Sequence, residues 1–209
     1  MISGHRKETG SMQSLDIMIV GVGGQGTLLA SRVIGSAAVA AGYDVKVSEV
    51  HGMSQRGGSV VTYVRIGKNI ASPLVDKAGA DLILSFERLE AARFIGYLKP
   101  NGTVILNEQG IDPMPVISGA QKYPGDVIPA LKKALGGRLV AVDAAGMARA
   151  CGSVKCVNIV LLGVMAGLGI GGISRKDWDA AVAGSVPAKF LSLNSSAFEA
   201  GYKAGSERG

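Results

Sequence analysis

"VKVSEVHGMSQRGGSVVTYVRIG", residues 45–67, is the stretch on which the fold turns. Its two ends, 45–50 and 59–67, are rich in β-branched residues and read as strands. Only residues 51–58 separate them. A crossover between parallel strands needs about a dozen residues or more, so the spacing predicts an antiparallel pair turned by this connection. The connection gathers Gly52, Gly57 and Gly58 with His51, Gln55 and Arg56. Glycine opens backbone conformations that other residues resist, and so lets the chain pass close to a ligand, a second protein or a neighbouring strand.

Upstream, IMIV (17–20) is a short continuous apolar run that suits a buried parallel strand. It leads through GVGGQG into a helical pattern that continues to Gly42. Downstream, DLILSF (81–86), GTVILNE (102–108) and RLVAVDA (138–144) read as strands, and RLEAARFIGYL (88–98) and DVIPALKKAL (126–135) as helices between them. Alternation of this kind predicts a three-layer, Rossmann-like α/β/α fold with a mostly parallel sheet, mixed because of the antiparallel pair. IDPMPVISGAQKYPG (111–125), with three prolines, reads as a surface excursion, and beyond residue 144 only helical patterns remain. Residues 1–14 are expected to be a flexible extension and 15–209 a single α/β domain with a helical C-terminal part.

Composition narrows the function. The chain has 209 residues, 47% of them hydrophobic, enough for a well-buried core. Its formal charge of +6 comes from scattered Lys and Arg, and no basic run marks a nucleic-acid footprint. The polar N-terminus lacks the apolar core of a signal peptide, so the expected location is the cytoplasm. VNIVLLGVMAGLGIGGI (157–173) falls short of a comfortable membrane span, and its glycines predict a buried helix that breaks near Gly169. The two cysteines, Cys151 and Cys156, are too few for an iron–sulfur cluster, which takes about four thiolates.

Gly21, Gly23 and Gly26 satisfy G-x-G-x-x-G directly after a strand and at a helix start, where backbone amides can receive phosphate. With Gly24 and Gln25 they form the candidate cofactor-binding turn, and Glu49 stands where a dinucleotide fold places its ribose-binding acid. The short second connection departs from that fold, and the same glycines also serve a tight turn with close helix–sheet contact. Thr27 stands where a nucleoside triphosphate loop has lysine. His51 could act as an acid or base and Arg56 as an anion clamp, although no partner for either can be read from spacing. Asn107 and Glu108 end a strand where open α/β sheets meet ligands, and Asn158, inside the most apolar helix, must pin a neighbouring backbone or meet a partner chain. No group of residues shows metal-ligand spacing.

IVGVGGQGTLLASRVIG, EVHGMSQRGGSVVTYVRIG, SPLVDKAGADLILSFERLEAARF and NGTVILNE together resemble the gamma-type subunit or domain of 2-oxoacid:ferredoxin oxidoreductases, from about residue 15 to about residue 200. HGMSQRGG (51–58) is the most specific element of the likeness. The resemblance implies an assembly that decarboxylates a 2-oxoacid, an aryl pyruvate such as indolepyruvate, joins the acyl group to coenzyme A and passes electrons to ferredoxin. It implies that thiamine diphosphate and the iron–sulfur clusters sit on a larger partner subunit and that this chain carries no catalytic residue and no cofactor of its own. His51, Gly52, Met53, Gln55, Arg56, Gly57 and Gly58 then become the candidate loop facing the partner or the substrate and coenzyme A. Two other readings stay open: an independent dinucleotide-dependent oxidoreductase, and a non-catalytic binding module. Self-association of the isolated chain stays open as well, whereas neither nucleic acid nor membrane is an expected partner.

Overall fold

The computed structural model describes residues 14–51 and 57–208. In chain order the elements are β1 (Ser14–Val22), α1 (Thr27–Ala40), β2 (Asp44–His51), β3 (Ser59–Gly67), β4 (Ala80–Ser85), α2 (Arg88–Phe94), β5 (Leu98–Asn107), α3 (Met114–Ile117), α4 (Val127–Leu135), β6 (Leu139–Val142), α5 (Ala144–Ala150), α6 (Val157–Gly167), α7 (Arg175–Ser185) and α8 (Leu191–Ser206). The strands form one mixed sheet in the order β2-β3-β1-β4-β5-β6. β3 runs antiparallel to both of its neighbours, while the pairs β1–β4, β4–β5 and β5–β6 are parallel.

The expected antiparallel pair is present, but β3 does more than turn back on β2. The crossover through α1 delivers β2 two strand positions away from β1, and β3 fills the gap, pairing with Ser14–Val22 along one side and Asp44–His51 along the other. The predicted helix over 88–98 also ends early. α2 stops at Phe94, residues 95–97 tighten into a 3₁₀ turn, and β5 begins at Leu98, four residues before the apolar run that marked it. The proline-containing excursion holds the short helix α3.

Both faces of the sheet are covered, which is why its central strands read as unbroken apolar runs rather than alternating ones. Ile17, Ile19, Leu82, Leu84 and Ile105 point toward α1 and the C-terminal helices. Met18, Val20, Ile83, Val104 and Leu106 point toward α2 and α4. α6 is buried along nearly its whole length, Asn158 included. No helix among the described residues is long and apolar enough to cross a membrane. The chain turns after α6 with Gly169, Gly171 and Gly172 all at positive φ, the break that the glycines at 169–172 announced.

Candidate functional site

The sheet switches direction at β1. From β1 the chain crosses through α1 to strands on one side, and from β4 it crosses through α2 to β5 on the other. The carboxyl ends of β1 and β4 therefore flank the crevice in which open α/β sheets hold ligands. The glycine turn sits there. Gly24 and Gly26 take φ of 100° and 86°, which bends the chain into the start of α1. A Cβ on Gly21 would stand 2.8 Å from Gln25 Oε1 and 3.0 Å from Phe86 Cβ.

Side-chain amides fill the crevice. Gln25 Oε1 accepts from the Val22 amide at 2.8 Å, and Gln25 Nε2 donates to the Phe86 carbonyl at 3.1 Å. Asn107 Nδ2 donates to the same carbonyl at 3.0 Å, so two amides lace the ends of three adjacent strands. Asn158 Nδ2 donates to the Gly26 carbonyl at 3.3 Å, and a Cβ on Gly26 would meet that nitrogen at 2.7 Å. Of the two roles open to Asn158, it takes the pinning of a neighbouring backbone.

The turn also meets the far side of the 51–58 connection, because the Gly23 amide donates to the Gly58 carbonyl at 2.9 Å. His51 closes β2 opposite Val60, and Gly57 has φ 77°. Gly52, Met53, Gln55 and Arg56 lie outside the described residues. A cleft of ≈ 260 Å³ on one side of this junction is lined by Gly23, Gly24, Gly26 and Glu49. Another of ≈ 320 Å³ is lined by Gly57, Gly58, Ser59, Glu87, Glu90 and Met114. The candidate turn and Gly57 and Gly58 of the candidate loop are thus parts of one surface, whereas Glu108 is exposed and Asn107 is buried as a strand tie.

Sequence reasoning overlooked the two glutamates. Glu87 caps α2: its Oε2 accepts from the Glu90 amide at 2.9 Å, and its Oε1 accepts from the Ile111 amide at 3.1 Å and from the Tyr123 hydroxyl. Glu90 accepts from the Ser59 hydroxyl and, at 3.0 Å, from Arg93 Nε, so it ties the first residue of β3 to α2. Only 1% and 4% of these residues' surfaces reach solvent, and such burial is tolerable because each carboxylate is surrounded by donors. The signal was present in FERLE, where an acid before a helix and another three residues on have capping spacing. Arg88 completes the group, with its guanidinium 4.6 Å from the centre of the Tyr123 ring and its Nε donating to the hydroxyl at 3.2 Å.

Burial, and then the hydrogen bond to Glu87, push the Tyr123 phenol up to about 12. A raised phenol favours the protonated donor, so its stabilising effect is complete below pH 10 and is lost as pH climbs through 12. Tyr123→Phe is expected to cost about 1 kcal/mol at neutral pH in denaturant unfolding. It should also remove a late-ionising tyrosine, near pH 12, from an ultraviolet pH titration.

Three comparisons bear on this geometry. The family model described as pyruvate ferredoxin/flavodoxin oxidoreductase matches residues 16–204. Indolepyruvate oxidoreductase subunit IorB of Thermococcus kodakarensis is 41% identical over 198 residues, 94% of this chain and 98% of its own. The subunit of the same name from Archaeoglobus fulgidus is 39% identical over 190 residues, 90% of this chain and 94% of its own. The solved gamma subunit of a keto/oxoacid ferredoxin oxidoreductase from Geobacter sulfurreducens shares the fold with a TM-score of 0.69 at 24% identity, covering 92% of this chain and 99% of that one. The 2-oxoglutarate:ferredoxin oxidoreductase from Magnetococcus marinus also superposes with a TM-score of 0.69, at 20% identity, over 94% of this chain and 32% of its own.

Proposed function

This chain belongs to the pyruvate ferredoxin/flavodoxin oxidoreductase family, and from that premise we propose that it is the small subunit of an indolepyruvate-type 2-oxoacid:ferredoxin oxidoreductase. The observation that carries the reading is the match to the IorB subunits, which runs almost end to end in both chains. The assembly converts a 2-oxoacid and coenzyme A into acyl-CoA and carbon dioxide, and ferredoxin takes the electrons.

Within it this chain binds and positions, and the larger subunit carries thiamine diphosphate and the iron–sulfur clusters. The thiols here do not fit a cluster: there are two where about four are needed. Burial, and secondarily Cys151, push the Cys156 thiol up. The carboxylates of the switch point are likewise occupied, Glu87 and Glu90 by their own chain's donors. What the described surface presents is the glycine turn joined to Gly58, and His51, Gln55 and Arg56 of the 51–58 connection are assigned to contact with the larger subunit or the path of coenzyme A.

Arg56→Ala is expected to weaken co-purification with the larger subunit at least about tenfold, as loss of a central interface arginine does, while leaving the melting temperature of the isolated chain unchanged. Pull-down of the tagged chain from source cells, followed by an assay of ferredoxin-linked oxidation of indolepyruvate in the recovered complex, tests partner and activity together. Recovery of the chain with no thiamine-dependent partner would overturn the assignment. A dinucleotide reading draws on the cleft shared by Gly23, Gly24, Gly26 and Glu49. Against it, β3 separates β1 from β2, so Glu49 stands one strand position farther from the turn than in that fold. Titration of the isolated chain with NAD, NADP and FAD is expected to show no saturable binding.

A further inference from the structure

A buried carboxylate holds the point at which the 51–58 connection rejoins the sheet. Ser59 opens β3, and its hydroxyl donates to Glu90 Oε2 on α2. The other oxygen, Oε1, accepts from Arg93 Nε at 3.0 Å, so each oxygen has its own donor and the carboxylate is fixed in rotation. Its backbone is fixed as well, because the Glu90 amide donates to Glu87 Oε2 at 2.9 Å. From the sheet side, Ser59 is registered against Val22 of β1, and the carbonyl of Gly58 accepts from the Gly23 amide at 2.9 Å. Residues 58 and 59 are thus held by the glycine turn, by β1 and by α2 together.

Stability does not ask for an acid at this place. The Glu90 side chain is only 6% exposed, and taking a carboxylate out of water is costly. A well-packed apolar side chain of similar size often leaves a fold as stable or more so. What a carboxylate adds is direction, a bond that fixes one hydroxyl relative to one helix. The residue so fixed is the one that follows the connection, and Arg56 precedes it by three positions. Glu87 does the same for a second segment, since it holds the Ile111 amide and the Tyr123 hydroxyl. The two segments that line the cleft of ≈ 320 Å³, one with Gly57, Gly58 and Ser59 and the other with Ile111, Pro113 and Met114, are therefore each tied to one acid of FERLE. Binding groups keep their geometry when the residues behind them are locked in this way.

We propose that Glu90 is a positioning residue for the contact with the larger subunit: acting through the Ser59 hydroxyl, it fixes the end of the 51–58 connection and with it the placement of Arg56 against that subunit. The proposal rests on the assignment of that connection to the subunit contact.

The test uses the full chain and the purified larger subunit from the same source, with affinity measured by titration. Ser59→Ala removes the hydroxyl and is expected to weaken binding about tenfold, whereas Ser59→Thr keeps a hydroxyl and is expected to bind as the wild type does. Glu90→Met, an apolar replacement of similar length, is expected to show the same loss as Ser59→Ala with the melting temperature of the isolated chain unchanged. Should Glu90→Met not fold, the two Ser59 variants decide by themselves. A double variant separates positioning from a merely structural role. Because Ser59 acts on the partner through Arg56, Ser59→Ala combined with Arg56→Ala is expected to lose little more affinity than Arg56→Ala alone, whereas independent effects add. Absence of binding by the wild-type chain would defeat the subunit assignment and this proposal with it. Wild-type binding with Ser59→Ala at wild-type affinity, with Ser59→Thr as impaired as Ser59→Ala, or with additive losses in the double variant would overturn the positioning role alone.

Discussion

Gly201→Ala is expected to lower the unfolding free energy by about 3 kcal/mol, roughly 6–12 °C in melting temperature for a chain of this size. α6 and α8 touch backbone to backbone through glycines on each helix. A Cβ on Gly201 would fall on the Val160 carbonyl oxygen, one on Gly205 on that of Val164, one on Gly163 on that of Phe198 and one on Gly167 on that of Tyr202. None of these obstacles is the end of a flexible side chain, so α8 as a whole must move. It also carries Phe198, fully buried beside Trp178 with ring centres 6.1 Å apart, and Tyr202, over whose ring the Arg175 guanidinium sits at 4.5 Å. Gly184→Ala is the control. That residue lies in α7 with nothing within 4 Å of its would-be Cβ, so the change should stabilise the chain by about 0.5–1 kcal/mol through helix propensity. Denaturant unfolding of both variants checks the pair, and equal effects would mean that α6 and α8 are not in the contact described.

Gln25→Glu is expected to cost about 1–3 kcal/mol at neutral pH and much less in mild acid. Glutamate keeps the oxygen that accepts from the Val22 amide at 2.8 Å but replaces the nitrogen that donates to the Phe86 carbonyl at 3.1 Å. Ionised, it sets a carboxylate against a carbonyl oxygen. Protonated, it can donate to that carbonyl. The fold therefore favours the neutral acid and raises the group above its unfolded value of about 4.3. The stability of the variant is thus greatest below about pH 4.3 and falls as pH rises through the folded-state value. Melting curves of wild type and variant between pH 4 and 8 measure this, and a deficit independent of pH would show that Gln25 does not face the carbonyl.

Legibility followed the range of the interactions involved. The β-branched run at 59–67 matches β3 residue for residue, and the 51–58 connection correctly required antiparallel pairing. The glycine turn was legible as a turn because a strand, closely spaced glycines and a helix are all local. The partners of that turn were not legible: Gln25 meets Phe86 across 61 residues, and Asn158 meets Gly26 across 132. Glu87 and Glu90 were visible as cap-spaced acids, yet nothing local said that Tyr123 and Ser59 would close over them.

By itself the sequence determined most strands and helices, though not the early end of α2 or the short helix α3, since side-chain period and the reach of a connection are properties of neighbouring residues. It also determined the family, through motifs that persist as contiguous strings. Tertiary structure alone decided that β3 enters between β1 and β2, that amides fill the crevice at the switch point, and that α6 and α8 meet on bare backbone. Those outcomes depend on which distant surfaces fit once the sheet has formed, and complementarity between residues far apart in the chain leaves no period or spacing to read.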